Sequence, residues 1–208
     1  MLTLTSETAS EATLSPREND ELRVRVRTAR PTDAEAVCTV HGDSVRGLGR
    51  SAYDDEQVAA WDHDRDPGDY PLTELGVTFV VAEALGEVPT RASDSGESAE
   101  APPPDGLLGF AEMRPDGGDY FERVPDDYGE VRGVYVHPDA ARSGVGTRLL
   151  ERLERAARRA GRSGLGLHAS CNAVGFYERA GYDRLVELDH EFGDTGVTGT
   201  VVEMQREL

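Results

Sequence analysis

Residues 130–182 read EVRGVYVHPDAARSGVGTRLLERLERAARRAGRSGLGLHASCNAVGFYERAGY. The signals run strand, glycine loop, helix, strand, helix, and the remaining chain is read outward from them. Val131, Val134, Tyr135 and Val136 give a β-strand over Glu130–His137, which Pro138 and Asp139 end. Arg142-Ser143-Gly144-Val145-Gly146-Thr147 then turns directly into a helix opening at Gly146. Glycines permit the tight turn and the close approach of a ligand to main-chain N–H groups. The first amides of a helix lack internal partners and carry positive partial charge, so this end suits an anion, most often a phosphate.

Known phosphate loops differ in the residues that accompany their glycines. A Walker A loop needs Gly-Lys-Ser/Thr, and here Gly146-Thr147-Arg148 stands instead. A dinucleotide fingerprint needs a third glycine, and here Leu149 occupies that position. The pattern that remains is a V-x-V-x-P strand followed by (Arg/Gln)-x-x-Gly-x-Gly/Ala.

On Val134-Tyr135-Val136-His137-Pro138, Gly144-Val145-Gly146-Thr147, Leu149-Leu150, Ala173, Phe176-Tyr177-Glu178 and Gly181-Tyr182, the sequence resembles the GNAT superfamily of acetyl-CoA-dependent N-acetyltransferases. The resemblance extends over roughly Leu22–Leu208. It implies an α/β fold with a mixed, mostly antiparallel sheet of six to seven strands, splayed between the Glu130 and Leu165 strands and flanked by about four helices. One position departs from the family pattern: Ala141 stands where Arg or Gln is usual, and Arg142 comes directly after it.

Composition narrows the setting. The 208 residues carry 40 acidic and 22 basic side chains, a net charge of −18, and every basic residue is arginine. Such acidity argues against nucleic-acid and membrane partners. Acidity without lysine points to a halophilic source, a halophilic archaeon; an arginine-favouring GC-rich genome is the other reading. The two cysteines, Cys38 and Cys171, provide neither a disulfide framework nor a four-ligand zinc site. No run of 18 apolar residues is present, and the N-terminal stretch has no basic start followed by an apolar block. The expected location is therefore the cytoplasm.

Along the chain, residues 1–20 read as a disordered acidic tail and 21–208 as the domain. Leu22–Arg27 alternates as a first strand. Thr32 or Asp33 is expected to cap a helix reaching about Val40, and a second helix is expected over Asp54–Trp61. Val77–Leu85 and Leu107–Met113 read as antiparallel strands. Between them, Gly86–Gly106 is rich in Ser, Glu and Pro and reads as a disordered insertion. The loop helix is expected over Gly146–Ala160 with Leu149, Leu150, Leu153 and Ala157 inward, and Glu151 with Arg155 as an exposed pair. Leu165–Ala169 comes next as a strand and Asn172–Ala180 as a helix. Tyr182–Phe192 and Val197–Met204 close the chain as a hairpin.

The resemblance also implies roles. Tyr177 would be the general acid toward the leaving thiolate, while its neighbour Phe176 reads as core. Glu130, 14 residues before Gly144, would be the base, with Glu112 and His168 as weaker alternatives. Main-chain N–H groups of Val134, Tyr135 and Val136 would hold the pantetheine arm and stabilise the carbonyl oxygen. Arg142, Ser143, Gly144, Val145, Gly146 and Thr147 would hold the pyrophosphate. Ser170 or Asn172 would cap the last helix and touch the cofactor. Tyr53, Gln57 and Trp61 would contact the acceptor, with core packing as the other reading of Tyr53 and Trp61. The implied cosubstrate is acetyl-CoA, with no metal, and the implied partner is an amine acceptor. Homodimers are common in the family. The expected function is direct acetyl transfer to a primary amine on a small molecule; a protein or peptide acceptor and a non-catalytic acyl-CoA sensor are the alternatives.

Overall fold

The computed structural model describes residues 22–86, 106–116 and 121–208. The tail expected over 1–20 and the interior of the insertion expected between Gly86 and Gly106 lie outside them.

Seven strands form one sheet in the order β1-β2-β3-β4-β5-β7-β6. They are β1 (Val24–Thr28), β2 (Thr78–Ala84), β3 (Leu107–Arg114), β4 (Gly129–Val136), β5 (Gly164–Ser170), β6 (Asp183–Glu191) and β7 (Thr198–Glu207). Every neighbouring pair is antiparallel except β4 and β5. The described residues also form four α-helices: α1 (Ala34–Leu48), α2 (Asp55–Trp61), α3 (Val145–Arg159) and α4 (Val174–Arg179). Strand pairing, helix number and the antiparallel bias agree with the fold expected from the sequence.

α3 packs over one face of the sheet, against β2 through β5. Its stripe Leu149, Leu150, Leu153 and Ala157 is buried among Val80, Leu108, Met113, Val131 and Leu167. Glu151 and Arg155 face outward 3.6 Å apart. The opposite face carries two smaller clusters. In one, Val37 and Val40 of α1 meet Phe79, Val81 and Phe110; in the other, Val45 meets Tyr53, Val58 and Phe192.

α1 runs to Leu48, well past the expected end near Val40. Gly42 and Gly47 weaken helix propensity there, yet Val45 is 1 % exposed and holds the extra turns to the core. Gly42 also leaves room for a side-chain pair. A Cβ at this position would stand 2.7 Å from Arg46 Nη1 and 3.0 Å from Asp62 Oδ1, in the path of the Arg46–Asp62 ion pair that ties α1 to the end of α2.

Asp33 does occupy the cap position of α1, but its side chain caps nothing there. Its carboxylate instead accepts from Arg27 Nη1 and Nη2 at 2.7 and 2.9 Å and from the Arg30 N–H at 2.7 Å. These partners, the Arg27 hydrogen bond foremost, hold the carboxyl below its usual range against the opposing effect of burial.

Candidate active site

The parallel pair β4–β5 touches only at its start, where Gly129, Glu130 and Val131 face Leu165, Gly166 and Leu167. Beyond Val131 the strands diverge. β4 stays bound to β3 as far as Val136 opposite Gly109, and β5 stays bound to β7 as far as Ser170 opposite Val201. β4 also holds one extra residue, Arg132, because Gly133 faces Glu112 while Val131 faces Met113. Such a bulge bends a strand locally.

Antiparallel pairing alternates direction. The His137 N–H donates to Leu108 O at 2.9 Å, so the main-chain groups of Tyr135 and Gly133 also turn toward β3. Those of Val134 and Val136 turn toward the gap.

A cavity of about 660 Å³ occupies this gap. Val134, Tyr135 and Val136 form its floor, Ala141, Arg142, Gly144, Gly146 and Thr147 one end, and Asn172, Phe176, Tyr177 and Arg179 a side. Trp61 at the end of α2, with Ser44 and Leu48 of α1, closes the other end together with Arg132, His168, His190 and Phe192.

The loop end has the features of an anion cradle. Arg142 and Gly144 both lie in the left-handed region, at φ 61° and 85°. Gly144 stands at the N-cap of α3. The Arg148 N–H bonds back to Gly144 O at 3.1 Å. The N–H groups of Val145, Gly146 and Thr147 have no acceptor among the described residues. Left-handed turns running into a helix direct successive amides to one point, where they add to the helix dipole. The described lining residues include Arg132, Arg142 and Arg179 and no Asp or Glu, in a chain of net charge −18.

Tyr177 lines the cavity from α4, 5 % exposed. Burial, with the neighbouring Tyr135 hydroxyl adding to it, pushes the phenol well above its ordinary pKa. It is therefore a neutral O–H that can donate a proton or a hydrogen bond.

Not every expected residue reaches the wall. Val145 points its side chain into the core, 1 % exposed, leaving only its amide to the loop. Ser143 Oγ donates to Ala140 O at 2.6 Å. Tyr53 is 6 % exposed and not on the wall. Its hydroxyl donates to Thr200 O at 2.7 Å and accepts from the Cys171 N–H at 2.9 Å, pinning α2's approach to β5 and β7. Gln57 binds Thr198 O at 2.9 Å and serves the same hairpin.

Ser170 and Asn172 do line the cavity, but α4 begins after Ala173 and has no side-chain cap. The Ala173 N–H instead donates to Ser170 O at 2.8 Å.

Glu130 is 3 % exposed and sits behind the wall, bonded to Arg132 Nη1 at 3.0 Å. Burial pushes its carboxyl up, and Arg132 only partly offsets this. Glu130 is not among the residues that line the cavity, whereas its partner Arg132 is.

Sequence reasoning misses Arg132, His190 and Phe192, which line the cavity; Phe176, expected in the core, packs against it and lines the cavity as well. Arg132 enters through the bulge, which no periodicity announces. His190 and Phe192 enter through the β6–β7 pairing that swings the end of β6 toward α2.

His168 is held by Glu203, 3.4 Å away. Glu203 is wholly buried on β7 and accepts from the N–H groups of Glu122, Arg123 and Val124 at 2.8, 2.6 and 3.1 Å. Burial pushes this carboxyl up, but the main-chain donors and His168 outweigh it and leave it below its usual range. It fixes the segment leading into β4.

Comparison with known proteins agrees with this geometry. Residues 94–184 match the acetyltransferase (GNAT) domain family. The chain is 39 % identical over 75 residues to an uncharacterized N-acetyltransferase, YjcF, of Bacillus subtilis (strain 168). That alignment covers 36 % of this chain and 52 % of the relative, so the chain spans about half the length of the curated relative it matches.

Among solved structures, a GCN5-related N-acetyltransferase from Rhodopseudomonas palustris superposes with a TM-score of 0.64 at 22 % identity, over 90 % of this chain and 96 % of the other. A putative acetyltransferase, yncA, from Salmonella typhimurium, solved with acetyl-CoA, superposes with a TM-score of 0.58 at 23 % identity, over 89 % and 94 %. The chain thus has the GNAT fold, and the segment that matches the family model spans the glycine loop, α3, β5 and α4.

Proposed function

We propose that this chain is an acetyl-CoA-dependent N-acetyltransferase acting on a small primary amine. The observation that carries the reading is the unpaired amides of Val145, Gly146 and Thr147 at one end of the β4–β5 gap, with the Tyr177 phenol on the same cavity. The acetyl-CoA in the yncA structure supports the choice of cosubstrate.

Coenzyme A would lay its pyrophosphate on the loop from Arg142 to Thr147 and run its pantetheine arm along Val134 and Val136. The Val134 N–H would then face the thioester oxygen. The amine nitrogen attacks the thioester carbon, the C–S bond breaks, and the thiolate takes the Tyr177 proton. The nitrogen gives up its own proton, leaving an amide and free coenzyme A. Since Glu130 does not line the cavity, it would take that proton through a bridging water.

A volume of about 660 Å³ suits the pantetheine arm and a small acceptor, which favours a small molecule over a protein. The cytoplasm and a high-salt setting belong to this reading, on the strength of two free cysteines and the net charge of −18.

Thiol release from acetyl-CoA with a panel of amines tests the proposal. Tyr177→Phe should lower kcat about 100-fold with acetyl-CoA affinity kept, and Glu130→Gln should lower kcat/KM for the amine more than for acetyl-CoA. No release with any amine would end the enzyme reading; full activity of either variant would end that residue's role.

A further inference from the structure

Three rings bound the acceptor end of the cavity: Trp61, Tyr135 and Phe192. Trp61 and Phe192 stack at 5.6 Å with 15° between planes, and Trp61 meets Tyr135 at 6.4 Å and 60°. They form a continuous aromatic wall, built in place by two glycines. The Tyr135 ring lies across Gly133, where any Cβ would run into it, and the Phe192 ring lies across Gly199, where a Cβ would stand 2.5 Å from Cε2.

Each ring is also backed. His41 sits 3.8 Å from Tyr135, held in turn by Tyr70 Oη at 3.0 Å and Arg65 Nη1 at 2.8 Å. Tyr53 supports Trp61 and Phe192 edge-on at 5.7 and 5.4 Å. Rings fixed in this way lose little further freedom when a ligand arrives, so their apolar faces contribute most of their burial to affinity.

The described lining residues offer no carboxylate. A polyamine needs a carboxylate for its second ammonium, since burying an unpaired charge is costly.

We infer that the acceptor is a primary amine borne on an aromatic or comparably flat apolar body, an arylalkylamine, which lies against the Trp61–Tyr135–Phe192 wall. This deepens the acetyltransferase reading and rests on it. The amine end points toward Val134 and Tyr177, and the ring of the acceptor covers the open parts of Trp61 and Tyr135, with Phe192, 3 % exposed, backing Trp61.

The test compares kcat/KM at saturating acetyl-CoA for phenethylamine, n-butylamine, spermidine and an alanine-terminated peptide, with acetyl-CoA affinity measured by calorimetry. Phenethylamine should exceed n-butylamine and spermidine about tenfold or more. Trp61→Ala should cut the phenethylamine to n-butylamine ratio toward one with acetyl-CoA affinity unchanged, which also certifies the fold of the variant. Transfer to n-butylamine, spermidine or the peptide at an equal or higher rate overturns the inference and leaves the enzyme reading standing. Acetyl-CoA binding without transfer to any amine overturns both.

Discussion

At the scale of single residues, the two loop glycines do different work. Gly144 has φ 85° and nothing within 4 Å of where a Cβ would be. Its role is conformational, and an alanine there meets only the left-handed penalty of about 1–2 kcal/mol. Gly146 is helical, and its Cβ would rest 3.4 Å from the Phe176 ring, an ordinary contact. Gly144→Ala should therefore weaken acetyl-CoA binding about tenfold, as the loop relaxes away from the shape that gathers its amides. Gly146→Ala should change it less than threefold. Calorimetric titration of both variants checks this, and equal effects would show that the loop conformation is not what binds. This contrast was partly legible in the sequence: the spacing of Gly144 and Gly146 announced a turn into a helix. Which glycine carries the positive φ was not legible, because it depends on where the helix starts, and α3 starts at Val145, one residue before the position expected.

At the scale of elements, Glu203 on β7 pins the segment before β4 through three main-chain donors. A glutamine offers one acceptor oxygen and turns an NH2 toward donors, leaving at least one amide unsatisfied at a cost of about 1–3 kcal/mol. Glu203→Gln should thus lose about 2 kcal/mol at neutral pH in urea unfolding. The carboxyl lies below its usual range in the folded state. Its stabilisation is present above the unfolded value, about 4.3, and is lost as pH falls through the folded value. The gap between wild type and variant should accordingly close below about pH 4; a gap that stays constant there would show that the charge is irrelevant. No sequence pattern pointed to this anchor, because Glu203 and Glu122 lie far apart in the chain. α1 shows the same limit, as its last turns persist through the contacts of Val45 and the Arg46–Asp62 bridge, which only the fold brings together. Strands β2, β3 and β5 and α3, by contrast, were legible because the strands are short apolar runs buried on both faces and α3 carries one apolar stripe.

At the scale of the whole molecule, a net charge of −18 repels itself in the folded state. The Debye length falls from about 10 Å at 0.1 M salt to about 3 Å at 1 M, so added salt should relieve much of this repulsion. Tm should rise by about 5 °C or more between 0.1 M and 2 M potassium chloride; a flat or falling Tm would refute the high-salt proposal. The half-buried Arg27–Asp33 pair is screened less than the exposed carboxylates, so the gain belongs to the acidic surface. The acidic exterior and the acid-free cavity lining together leave a local site for an anion in a chain that otherwise repels one.

Main-chain amides between Arg142 and Thr147 are proposed to hold a pyrophosphate in the β4–β5 gap. Calorimetric titration with coenzyme A and, separately, with pantetheine, which lacks the pyrophosphate, tests it most directly. Several hydrogen bonds to a charged group at about 1.5–3 kcal/mol each predict that coenzyme A binds at least about 100-fold more tightly. Pantetheine binding as well as coenzyme A, or no binding of coenzyme A, would contradict the account.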